Sequence, residues 1–383
     1  MRAHIVQALS LPAAAVALLA VAAPPAGTAA AAGAARPAPS ARPVTVFVAS
    51  QGSGTVTPIL AATNKAGKAI KVGADPRGIA ITPAGKIAYV ANTGGIVNVG
   101  DTVTPIRTAT NTALKPIKVG DQPQSIAITP NGKTAYVVNY LSFTVTPIRI
   151  ATNTALKPVK VGLYPIAIAI TPNGKTAYVA SNGGTTVTPI RTATNTALKP
   201  IKVGNEPTAI AITPNGKTAY VAVAGSGTVI PVSTATNTAG RPVKVGNYPT
   251  AVAITPNGKT AYVVNWGSGT VTPVSTATNN AGSAIKVGQG PDAIAITPDG
   301  KTAYVTNWYS GTVTPIRTAT NTALGPVKVG HIPVAIAITP DGKTAYAVND
   351  GSGTVTPIRT ASNTALPPVR VGSDPYAIAI TRG

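Results

Sequence analysis

Ala209-Ile-Ala-Ile-Thr-Pro-Asn-Gly-Lys-Thr-Ala-Tyr-Val221 recurs, lightly edited, from one end of the chain to the other. The tyrosine, or a phenylalanine standing in for it, falls at Phe47, Tyr89, Tyr136, Tyr178, Tyr220, Tyr262, Tyr304 and Tyr346. The spacing is 42 residues each time, except for 47 between Tyr89 and Tyr136. A fixed period of about 40 residues, rich in β-formers, predicts an all-β fold: a single β-propeller of four-stranded blades.

One repeat shows how each blade is built. Ala209–Thr213 alternates small and large apolar residues, which suits the crowded centre of a propeller. Pro214-Asn-Gly-Lys217 is a tight turn in which Asn-Gly supplies positive φ. Thr218–Ala222 is the second strand, Thr228–Ala235 the third and Pro242–Val245 the fourth, at the outer edge. The proline inside each third strand (Pro105, Pro147, Pro189, Pro231) removes a ladder donor and predicts a bulge or break there. On the fourth strand a lysine alternates with Val or Ile, as at Lys118, Lys160, Lys202 and Lys244, which reads as edge protection against strand-to-strand aggregation.

Each strand type occurs eight times. The first repeat begins at its second strand, Val44–Ala49, and the last ends at its first, Ala377–Thr381. The C-terminal strand is therefore expected to complete the N-terminal blade and close a ring of eight. Seven blades is the alternative, if the second repeat with its five extra residues is irregular.

The propeller occupies residues 44–383. Before it, Met1-Arg2-Ala3-His4 leads into an apolar run, Ile5–Ala23, and then an Ala/Pro/Gly stretch. Residues 1–28 read as a secretory signal peptide and 29–43 as a flexible linker; an uncleaved membrane anchor is the alternative. Removing Arg2 would leave a charge near +21, from +22 for the 383-residue chain with 31 Lys and Arg against 9 acids. That balance predicts attraction to anionic partners. The chain has no cysteine, which excludes disulfides, thiolate metal sites and a cysteine nucleophile. The expectation is an extracytoplasmic protein, secreted or held at the cell surface without an integral span after cleavage.

Tyr304-Val-Thr-Asn307 is the YVTN motif of bacterial and archaeal surface-layer propeller repeats. With the Pro-(Asp/Asn)-Gly-Lys turn and the Val-Gly-x-x-Pro linker, residues 44–383 resemble the YVTN-repeat, YncE-like family of mostly seven-bladed exported propellers. Eight repeats depart from that pattern. So do Arg107, Arg149, Arg191, Ser233 and Ser275, where such repeats often carry Asp. The resemblance implies extracytoplasmic binding and no common reaction.

Comparing the copies with one another separates scaffold from function. Positions alike in every copy serve packing and turns; variable ones are free to serve a ligand. The non-repeated aromatics, Tyr140, Phe143, Tyr164, Tyr248, Trp266, Trp308, Tyr309 and Tyr376, fall in or beside the loops after strands two and four, which share one face. His331 is there too, as are seven of the nine acids: Asp75, Asp101, Asp121, Glu206, Asp292, Asp350 and Asp374. These acids read as solvated loop residues. The five-residue insertion, Gly94–Asp101, enlarges the same face. The opposite face repeats Lys86, Lys133, Lys175, Lys217, Lys259, Lys301 and Lys343, with Arg107, Arg149, Arg191, Arg317 and Arg359 nearby.

Aromatic loops on a rigid scaffold suit a glycan, peptide or protein of the cell envelope. The candidate binding residues are Tyr140, Phe143, Tyr164, Tyr248, Trp266, Trp308, Tyr309, His331, Asp350 and Tyr376. The plainer reading is that they cap neighbouring blades. A polyanion, nucleic acid or an anionic wall polymer, would instead meet Lys133, Lys175, Lys217, Lys259, Lys301, Lys343, Arg149 and Arg191. Aromatic and basic sets lie on opposite faces, which argues against base-stacking recognition of single strands. No cofactor or catalytic residue is expected: a single His outside the leader, no nucleophile elbow and no phosphate loop leave an enzyme of the lyase or lactonase kind as the third reading.

Overall fold

The computed structural model describes residues 43–95 and 99–383. The expected leader, and the linker up to its last residue, lie outside them. Eight antiparallel sheets form, one for each repeat. Their inner strands are Pro375–Ile380, Pro76–Ile81, Pro123–Ile128, Pro165–Ile170, Pro207–Ile212, Pro249–Ile254, Pro291–Ile296 and Pro333–Ile338, taken here as blades 1 to 8. Each inner strand contacts those of the blades before and after it, and that of blade 8 contacts that of blade 1, so the ring is closed and eight-bladed.

Closure is made by the C-terminal strand. Inner strand Pro375–Ile380 pairs with Thr45–Ser50, matching Val46 to Ile380 and Ala49 to Ala377. Thr45 N–H donates to Thr381 Oγ1 at 2.8 Å, and Thr381 N–H to the Thr45 carbonyl at 2.9 Å. The second repeat forms a full blade, with a shift of register between Asn92 and Gly94. Its five extra residues lengthen the hairpin, giving strands Ile87–Gly94 and Val99–Arg107 joined as far as Gly94 opposite Val99.

The small–large alternation decides how blades stack. In blade 5, Ala209 and Ala211 pack with Val252, Ile254, Ala261 and Val263 of blade 6. Ile212 and Ile210 turn the other way, onto blade 4. Every interface between neighbouring blades holds one such apolar cluster. Each second-strand tyrosine is fully buried and donates its hydroxyl to an asparagine of the next blade. Tyr89 reaches Asn153 and Tyr136 reaches Asn195, both at 2.6 Å, and Tyr346 of blade 8 reaches Asn64 of blade 1 at 2.6 Å. Burial pushes the tyrosine hydroxyls up to about 12.

The third-strand proline behaves differently from expectation. The third strand runs unbroken, and no bulge forms at Pro105 or Pro147. The outer strand breaks instead. It pairs as Thr112–Ala113, leaves the sheet, and returns as Ile117–Lys118. Leu114 N–H donates to the Pro105 carbonyl at 2.8 Å. The proline nitrogen offers no hydrogen to the outward side, so nothing holds the outer strand beyond that bond. The expected continuous fourth strand is thus two dipeptides in most blades, and its lysines are exposed at the edge.

Candidate functional site

Three of the positions that vary from blade to blade are brought by the fold to one rim. Two flank the proline that opens each inner strand. The third is the first residue after the second strand, or, in blade 2 with its lengthened hairpin, the equivalent Thr93 within it. In every blade that third residue donates its N–H to the carbonyl of the residue before the proline: Thr93 to Asp75 at 3.0 Å, Trp266 to Tyr248 at 3.1 Å, Asp350 to Ile332 at 2.9 Å, Gln51 to Asp374 at 2.8 Å.

The residue before the proline carries positive φ in all eight blades, although only blade 7 places a glycine there, Gly290. Asp75, Gln122, Tyr164, Glu206, Tyr248, Ile332 and Asp374 lie between φ 48° and 58°. A branched side chain such as Ile332 rarely adopts this conformation, so the scaffold imposes it. The residue after the proline sits where pairing slips between the proline and the third residue of the inner strand. Such a bulge re-aims one side chain out of the alternation. It does so for Arg77, Gln124, Ile166, Thr208, Thr250, Asp292, Val334 and Tyr376. Thr208 uses its hydroxyl on the next blade, donating to the Pro249 carbonyl at 2.7 Å.

The rim divides into sectors. Around blades 3 and 4, Tyr140 and Phe143 each place their rings 5.0 Å from Tyr164. Tyr164 lies over Gly183, where any Cβ would strike its ring. Around blades 6 and 7, Tyr248, Trp266, Tyr309 and Trp308 form a continuous run with centroid separations of 6.0, 5.7 and 4.5 Å. Tyr309 is 62% exposed. Trp308 and Tyr376 pack on the core between blades 8 and 1, and His331 is exposed beside the short turn of Asp350. The ten candidate residues thus share a face but not a single cluster. Tyr376 stands apart from the loops, on an inner strand.

Asp121 and Glu206 lie at blades 3 and 5, whereas Asp75, Asp292, Asp350 and Asp374 fall across blades 7, 8, 1 and 2. They are not all the solvated loop residues expected from the sequence. Asp292 lies on an inner strand and is 2% exposed, with one carboxylate oxygen lacking any hydrogen bond. Burial raises its carboxyl well above the ordinary range. Burial and the nearby Asp374 push Asp350 up to about 6 against the opposing pull of Arg77. Asp75 is raised by burial, although Arg77 Nε lies 3.5 Å from its carboxylate. The Arg77 guanidinium sits 5.5 Å from the Tyr376 ring centroid. The Tyr376 hydroxyl is raised first by burial, and it feels Arg77 of blade 2, Asp292 of blade 7 and Asp350 of blade 8. Asp292, Tyr376 and Arg77 occupy the same position, second on the inner strand, in blades 7, 1 and 2.

Arg77 was missed as a site residue, and Asp292 as a buried one. The signal was present: in the repeated Pro-x-Ala-Ile-Ala-Ile, the x is the one position that differs in kind from copy to copy, from Thr to Asp, Tyr and Arg.

On the opposite face, the Asn-Gly and Asp-Gly turns present Lys133, Lys175, Lys217, Lys259, Lys301 and Lys343 to solvent, with Arg149 and Arg191 exposed at third-strand ends. Each turn is locked from within: Thr129 Oγ1 accepts the Thr134 N–H at 3.1 Å, and Asn131 Oδ1 accepts the Lys133 N–H at 3.0 Å. Lys301 and Lys343 lie 3.8 and 3.9 Å from Asp299 and Asp341 of their own turns. Among the described residues, no group of three His, Cys, Asp or Glu is placed to hold a metal ion, and no helix is long and apolar enough to cross a membrane.

Several solved structures share the fold. A chain of hydrazine synthase from Kuenenia stuttgartiensis is 25% identical, with a TM-score of 0.61 over 75% of this chain and 96% of its own. The dihydro-heme d1 dehydrogenase NirN, solved with DHE, is 13% identical with a TM-score of 0.75, over 88% of this chain and 74% of its own. A Bacteroides fragilis protein, provisionally a 6-phosphogluconolactonase, is 18% identical with a TM-score of 0.62, over 90% of this chain and all (100%) of its own. No curated protein matches the chain by sequence. The profile described as YNCE-like beta-propeller matches residues 93–382, and the chain belongs to that YncE-like β-propeller family.

Proposed function

We propose that this is a non-catalytic binding propeller, carried outside the cytoplasm and associated with the cell envelope, which engages a glycan, peptide or protein through its variable face. The observation that carries this reading is the gathering of the three variable positions of every blade onto one rim. The run Tyr248–Trp266–Tyr309–Trp308 offers a partly exposed aromatic surface of the kind that stacks on sugars or apolar side chains. The apolar run Ile5–Ala23 supports export. The solved relatives include enzymes, but at 13–25% identity they lend the fold rather than a reaction.

A second reading, polyanion binding by the opposite face, is favoured by its exposed cations, of which only Lys301 and Lys343 form ion pairs among the described residues. One experiment separates the two. The mature protein is incubated with intact envelopes and with purified polyanions, with and without added salt at roughly 0.5 M, where the Debye length falls to about 4 Å. Retention at high salt, lost in the W266A/W308A/Y309A variant, is expected. Complete release by salt, unaltered in that variant, would hand the function to the basic face.

A further inference from the structure

The chain enters and leaves the ring at one place. In blades 2 to 8 a lysine turn joins the inner strand to the second strand. Across the turn of blade 3, Thr129 N–H donates to the Thr134 carbonyl at 2.9 Å, and Thr134 N–H to Thr129 Oγ1 at 3.1 Å. In blade 1 the same two bonds join Thr381 and Thr45, at 2.9 and 2.8 Å, but no turn connects them. Both ends of the propeller therefore stand where an eighth lysine turn would be. They lie on the basic face, and the 42 residues before Pro43 attach there.

That face is strongly charged and level. Its seven turn lysines occupy one position of a repeat that closes on itself, which places them in a ring at one height. The five arginines that end third strands point to the same face, each in register with the start of a second strand, as Arg149 is with Thr134. All of these cations are exposed. Of the 9 acids only Asp299 and Asp341 are here, beside Lys301 and Lys343. A level ring of cations, with the non-repeated aromatics all toward the other face, suits a flat anionic surface better than a single strand of nucleic acid.

We propose that the basic face lies flat on a bilayer surface carrying anionic lipid, and so turns the variable face away from it. This deepens the reading of the basic face as a polyanion site and rests on it. The leader supplies the choice of polyanion. The apolar run Ile5–Ala23 is tied to Pro43 by residues 24–42. As the flexible linker read from the sequence, they span about 25 Å. While that run is in a bilayer, the lysine ring is held within reach of the headgroups. Each lysine near an anionic membrane strengthens association about five-fold, and the attraction fades beyond a Debye length of about 8 Å at physiological salt. An apolar segment and a basic patch on one side of a protein are two signals that hold it at a membrane together.

The test is co-sedimentation of the mature protein with vesicles of phosphatidylcholine alone and with about one-third phosphatidylglycerol added. Binding to the anionic vesicles only is expected, lowered by more than about 100-fold in K133E/K175E/K217E/K259E. The K160E/K202E/K244E/K286E variant makes the same change of charge on the outer strands, whose lysines pair toward the other face, as Lys160 does opposite Thr144. It should lose less than about ten-fold. All eight side chains are exposed, and Lys133 holds its turn through its backbone N–H, so both variants should fold as the parent does. Orientation is read separately. The chain has no cysteine and only two tryptophans, Trp266 and Trp308, both on the variable face. An environment-sensitive dye on K175C should shift to the blue on vesicle binding, while the tryptophans stay open to acrylamide quenching. The proposal is overturned if anionic vesicles bind no better than neutral ones, if the outer-strand variant loses as much as the turn variant, or if the tryptophans become shielded. Heparin bound through the turn lysines without vesicle binding would remove this inference and leave the polyanion reading standing. Binding of neither would remove both.

Discussion

Asp350 and Phe47 show what single residues do in a ring of near-identical copies. The Asp350 carboxyl holds its proton more tightly in the fold than in the unfolded chain, about 6 against 3.8. Its contribution to stability is therefore complete below about pH 4 and lost as pH rises through about 6. D350N should unfold at a higher temperature than the parent at pH 7.5, by roughly 1–2 kcal/mol once screening by nearby water is allowed for. The two should coincide near pH 3.5. Equal melting at both values would show that the carboxyl is not destabilised by its setting. Phe47 is the one second-strand ring without a hydroxyl, and Asn111 in blade 2 holds the left-handed conformation of its seven tyrosine-bound equivalents. F47Y should complete the ring of bridges and add about 0.5–1.5 kcal/mol, read as a raised denaturant midpoint with unchanged slope. A lowered midpoint would mean that the hydroxyl finds no room.

Among the elements, the linker between blades is packed closely against the preceding hairpin. The buried Asn92 at the end of a second strand donates to Thr102 and Thr104 at 3.1 and 2.9 Å and accepts the Gly73 N–H of the incoming linker at 3.0 Å. A Cβ on Gly73 would stand 2.6 Å from Asn92. Gly73→Ala should cost about 1–3 kcal/mol, measured by chemical denaturation. A neutral result would show that the linker can shift away. Asn307, the last residue of the YVTN motif, makes the same bonds, accepting the Gly288 N–H at 3.1 Å, so the motif reads as a clamp on the linker, a role the string itself did not reveal. Strand identity was legible because alternation has a period of two. The break in the outer strand was not, because where a proline's missing donor is felt depends on which neighbour faces it.

For the whole molecule, closure is the decisive feature. Deleting residues 375–383 removes the inner strand of blade 1 and exposes Thr45–Ser50 as an unpaired edge. That truncation should lose the cooperative unfolding transition and elute as aggregates in size-exclusion chromatography; a monomer with the parent's transition would show that the ring closes without it. The sequence by itself determined the architecture: the 42-residue spacing, the eight copies and the split first repeat point to a closed propeller with eight blades favoured over seven, and the placement of variable loops on one face follows from strand antiparallelism alone. Only the tertiary structure decided which variable residues meet. Arg77 and Tyr376 belong to two blades and are far apart in sequence. Their contact depends on bulges, left-handed linker residues and the curvature of the ring. The burial that separates Asp292 from an ordinary surface acid is likewise a property of the packed inner strands and not of any local stretch of chain.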